Sequence, residues 1–109
     1  MSTKQYRQGD ILISYIPESD VPKDARPVAP INGRMVLAEG EATGHAHTID
    51  ADYGTMVEKD GVLYLRLTAD APLMHQEHGQ VTIERIPGMV PIRERQREYS
   101  PEAIRNVAD

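Results

Sequence analysis

The sequence predicts a mostly β fold, a small antiparallel barrel or sandwich with a short C-terminal helix. Three observations lead there. Apolar residues come in short, β-branched runs; Gly, Pro, Asn and Asp punctuate those runs at close spacing; and helical patterning is confined to the residues after Tyr99. With 109 residues, the chain fits one domain around one core, spanning 1–109.

Gly9 and Asp10 open the first run, Ile11-Leu12-Ile13-Ser14-Tyr15-Ile16, which reads as a buried strand stopped by Pro17. Pro17, Pro22, Pro27 and Pro30 make residues 17–33 a long, partly extended connection without regular helix, since each Pro lacks an N–H and fixes its own φ. Residues 34–39 form the next strand, and Gly40 and Gly44 bracket a turn into a strand over 45–49. Residues 53–58 and 62–68 flank Lys59-Asp60-Gly61, a hairpin signal in which Gly accepts positive φ. The alternating stretch 81–86 leads through the Pro87-Gly88 turn to a last strand over 89–93. Ser100-Pro101-Glu102 supplies an N-cap, a first-turn Pro and a first-turn acid. With Ala103, Ile104 and Val107 on one side, a helix is expected at about 101–108.

Composition narrows the chemistry. The chain has no Cys, Phe or Trp, which removes thiolate ligands, thiol nucleophiles and disulfides and leaves Tyr, Ile, Leu, Val and Met to fill the core. Net charge is −5, and the acidic excess falls in residues 34–79, where three basic residues face eight acidic ones. That middle repels phosphate backbones and favours cations, so nucleic acid is a disfavoured partner. No run approaches the roughly 20 apolar residues of a membrane span, and the polar start at 1–9 lacks a signal-peptide core, giving the expectation of a cytoplasmic protein without a membrane partner.

The four His are the most informative residues. All lie in two tight pairs, Gly44-His45-Ala46-His47 and His75-Gln76-Glu77-His78-Gly79. Positions i and i+2 of a strand share a face, so His45 and His47 can point into one cavity. His75 and His78 fall on opposite faces of a regular strand, and reach one site only if a turn or bulge intervenes. Neutral imidazole binds Zn, Fe, Ni, Mn and Cu, so the two pairs are candidate ligands for a divalent transition metal. The alternatives are surface histidines in turns and a metal-free polar network. Glu41, Asp50, Asp52 and Glu77 are the nearby carboxylates, each either a further ligand, an orienter of an imidazole or a solvent-facing acid. Tyr53 and Tyr64 are read as core, and Arg93, Arg95 and Arg97 alternate with acids or Gln as a salt-bridged strand face able to grip an anion or a partner subunit.

From Gly40 through His45-Ala46-His47, an acid at Asp50 or Asp52, and a later His75 or His78 beside Gly79, the chain resembles the cupin superfamily over residues 40–79. The resemblance implies a small β-barrel with a metal inside it, His45 and His47 as ligands from the first motif, and a further His from the second. The expected function is therefore divalent-metal binding through His45, His47, His75 and His78. Three ligands leave a position open to water or a small-molecule ligand, as in a metalloenzyme; four close the site, as in a metal-dependent binding module. The alternative class is a metal-free interaction or accessory module of phage or mobile-element origin. A homodimer is expected from the small core and the open sheet edges.

Overall fold

The apolar runs read between residues 11 and 93 become strands over all or part of their length in the computed structural model, which describes residues 4–39 and 44–94. In chain order the strands are β1 (Tyr6–Gln8), β2 (Ile11–Pro17), β3 (Arg26–Pro27), β4 (Arg34–Glu39), β5 (Ala46–Asp50), β6 (Gly54–Lys59), β7 (Val62–Leu67), β8 (Ala71–Leu73), β9 (Val81–Ile83) and β10 (Met89–Arg93). Two single-turn 3-10 helices, Glu18–Asp20 and Ala51–Tyr53, complete the described elements. The expected helix at about 101–108 lies outside the described residues, as do Glu41, Arg95 and Arg97. No described helix is long and apolar enough to cross a membrane.

The strands pair antiparallel, and the result is sandwich-like. One sheet has the order β1-β2-β10-β7-β6-β3, while β4 pairs with β5 and β8 with β9. Reciprocal bonds between Thr48 and Met74, at 2.9 and 2.8 Å, join the two smaller pairs through β5 and the end of β8. The barrel alternative is not realised, because the large sheet ends on β1 and β3, which pair with β2 and β6 only and not with each other.

Alternation explains the layers. Along β2, Ile11, Ile13 and Tyr15 are buried in the main core with Met35, Leu37, Ile49, Leu65, Leu73 and Ile83, residues drawn from both sides of the sandwich. Ile16 on the opposite face packs in a second cluster around Val21, Tyr64, Val90 and Ile92. Thus the Pro-rich connection covers the back of the large sheet with Val21, and β7 can be apolar on successive residues because both its faces are buried. Tyr64 is core as expected, and Tyr53 packs against the main core half-buried.

Four elements depart from the sequence reading. β1 and β8 were not expected as strands, the two-residue β3 lies within the expected connection 17–33, and β9 stops at Ile83 rather than continuing to residue 86. Beyond Ile83, side chains replace the ladder: the Tyr15 hydroxyl donates to the Glu84 carbonyl at 2.5 Å, and the Arg85 N–H donates to Asp70 Oδ1 at 2.8 Å.

Candidate functional site

His47 sits on β5, on the buried side shared with Ile49. Opposite it, β4 carries an extra residue. Val36 pairs with Thr48 and Ala38 with His47, leaving Leu37 as a bulge. A bulge increases local twist and re-aims neighbouring side chains, and here Leu37 and Ala38 are both buried in succession beside His47. His45 precedes the strand and stays partly exposed.

His75 and His78 lie in the connection between β8 and β9, and a turn brings them to one side, as their spacing requires. His75 makes that turn itself: its Nδ1 accepts the backbone N–H of Glu77 at 3.0 Å and of His78 at 3.2 Å. In the neutral ring the His75 proton is therefore on Nε2. Gln76 adds a second tie, its Oε1 accepting the Ala46 N–H at 2.8 Å.

The four rings gather. Ring centres of His47 and His75, and of His75 and His78, are 4.4 Å apart; His47 and His78 are 5.9 Å apart and nearly parallel; His45 meets His75 edge-on at 5.6 Å. Among the described residues, however, no group of three or more His, Asp or Glu side chains is disposed as it stands to hold a metal ion.

Of the carboxylates singled out, Glu77 joins the cluster, with Oε1 at 3.1 Å from His45 Nδ1. Asp50 does not: its carboxylate accepts the Asp52 N–H at 2.8 Å and lies 3.9 Å from Arg34. Asp52 belongs to the same 3-10 turn as that acceptor pair, so it too serves local structure. Arg93 has a buried Nε without a hydrogen-bond partner among the described residues, and burial lowers its pKa.

Two residues were not anticipated. Gln8, 2% exposed, donates from Nε2 to the carbonyls of Leu73 at 2.8 Å and Gly79 at 3.0 Å. Its Oε1 then faces His47 Nδ1 at 2.8 Å. Asp10 places Oδ1 at 3.4 Å from His47 Nε2. Only the proximity of Gln8-Gly9-Asp10 to the first apolar run marked this stretch in the sequence, and it marked a strand start. The His47 pKa is lowered, first by burial and next by the neighbouring His75, against an opposing pull from Asp10.

An open groove of about 340 Å³ adjoins the cluster, lined by Arg34, Ala46, Thr48, Met74, His75 and Gln76. Its lining joins His75 to the seam between β5 and β8.

No curated protein and no solved structure matches the chain. Residues 7–93, which hold all four His, both newly identified polar residues and every described strand but the first residue of β1, match one family throughout: the chain belongs to the family described as Domain of unknown function (DUF8820).

Proposed function

We propose that the domain binds one divalent transition metal, Zn, Fe, Ni, Mn or Cu, through His45, His47, His75 and His78. One observation carries the reading: imidazoles from two separate segments gather, with the ring centres of His47, His75 and His78 4.4–5.9 Å apart and His45 5.6 Å from His75. Imidazoles that share an ion, each bound at about 2.0–2.1 Å, hold their ring centres about 5 Å apart. The donor chemistry of His47 fits as well, while His75 would ligate only by giving up the turn bonds to its Nδ1. His47 is driven towards its neutral, ligating form by burial, and the Gln8 contact occupies its Nδ1 and leaves Nε2 for a ligand.

The cupin-like spacing supports the same ligands, and the acidic middle of the chain supports a cation. A bound ion would supply Lewis acidity. With three protein ligands, an open position would take water or a small molecule from the adjoining groove; with four, the domain would be a metal-dependent binding module. The reading extends to a cytoplasmic protein that dimerises through its edge strands.

Elemental analysis of untagged protein offered each metal tests it, with His47→Ala in parallel. About one metal per chain in the wild type, and a loss of both metal and thermal stabilisation in the variant, is expected; less than about 0.2 per chain with every metal overturns the reading, because a gathered multi-His site fills. A second reading, a metal-free interaction module, is favoured by two observations: His75 spends Nδ1 on its own turn, and among the described residues no three donors converge as they stand.

A further inference from the structure

We propose that the turn Gln8-Gly9-Asp10 is the third part of this site: Gln8 sets the tautomer of His47, and Asp10 is a carboxylate ligand that shares the cation with His47 Nε2. The proposal rests on the metal reading above and adds two residues to it.

The argument begins with the Gln8 amide. Both its protons are committed to carbonyls, those of Leu73 and Gly79, so the side that faces His47 is the oxygen. An oxygen at 2.8 Å from His47 Nδ1 requires a proton on that nitrogen. The neutral ring therefore has its lone pair on Nε2, and an oxygen of the Asp10 carboxylate lies 3.4 Å from that nitrogen. Two acceptors this close repel unless they share a cation. The surroundings suit a metal ion, because His47 is buried while Asp10 is more than half exposed, so an ion can arrive from solvent on the Asp10 side.

Gly9 completes the arrangement. Its φ is +58°, and a Cβ there would lie 2.5 Å from His78 Nε2. The absence of a side chain is what lets the turn approach the His78 ring. Three consecutive residues thus each meet a different part of the cluster: Gln8 at His47 Nδ1, Gly9 at His78, and Asp10 at His47 Nε2.

The test uses the full chain, titrated with Zn²⁺ or Ni²⁺ by calorimetry, together with ¹⁵N imidazole spectra of the metal-free protein. Asp10→Asn is expected to weaken binding by about tenfold or more while, with the repulsion between acceptors removed, the metal-free protein keeps its circular dichroism and melts no lower than the wild type. Asp20→Asn, in the remote 3-10 turn, is expected to bind like the wild type. Equal affinities for wild type and Asp10→Asn overturn the role of Asp10. A wild type that binds neither ion overturns the metal reading and the ligand role together, and the spectra then decide Gln8 separately. A proton on His47 Nδ1 with a bare Nε2 supports the tautomer lock, and a proton on Nε2 overturns it.

Discussion

Six consecutive residue pairs and a two-residue turn hold β6 to β7, whereas β8 and β9 share three pairs and enclose the connection 74–80. The first hairpin is specified where it stands. Asp60 and Gly61 have φ of +52° and +84°, the positive values that a tight hairpin turn needs at both central residues. The second pair depends on visitors. Gln8 holds the carbonyls on both sides of the connection, Ala46 donates to Gln76, and His75 caps its own turn. Pairing of local sequence builds the β6–β7 hairpin, and the cluster resides where the ladder is sparse and side chains from afar supply the missing bonds.

The largest effect that separates the two regions is expected from Leu65→Ala. Leu65 is fully buried on β7, so truncation costs about 2–5 kcal/mol in urea unfolding. Metal stoichiometry of the folded protein stays the same. Gln8→Leu comes next, because it strands two carbonyls and one imidazole nitrogen at once. A loss of about 2–4 kcal/mol is expected, with metal affinity falling about 10–100-fold. Coupled losses in this variant and uncoupled ones in Leu65→Ala would sharpen the comparison, and the same pattern in both would break it. Gly61→Ala is expected to cost about 1 kcal/mol by forcing a Cβ into positive φ, with metal binding unaltered.

The smallest effect is a pH dependence. Burial is the main cause that raises the Tyr15 pKa above its ordinary value of 10.0. The unfolded chain thus ionises this hydroxyl before the folded one does. Stability from Tyr15 is full below pH 10 and declines as pH rises above it, and Tyr15→Phe removes that decline. Urea melts at pH 9 to 11 check it, and identical slopes for both proteins would detach Tyr15 from the alkaline transition.

How much of this was readable in advance follows the same division. β2, β4, the β6–β7 hairpin and β10 follow from local patterns, since each carries its apolar run and its turn residues within a few positions. β1 escaped because it is polar and buries a Gln where a strand usually buries an aliphatic residue. β8 escaped because Ala71-Pro72-Leu73 is short and carries a Pro. At the site, the His pairs and Glu77 stood out by spacing. Gln8 and Asp10 did not, because Gln and Asp are common residues and their meeting with His47 spans most of the first half of the chain. The β4 bulge left no mark at all, as two successive buried residues look like any apolar run.

The Gln8 amide joins residues 39, 65 and 71 positions away in the chain. These contacts, like the β2–β10 ladder whose pairs lie 72 to 80 positions apart, form only after the long loops between them have closed, so the site assembles with the closing of the sheet and not before it. A metal held there would meet a nearly complete domain and would have no early intermediate to template. Its expected kinetic signature is slower unfolding with an unchanged folding rate, so the ion would lengthen the lifetime of the native state rather than guide the chain towards it.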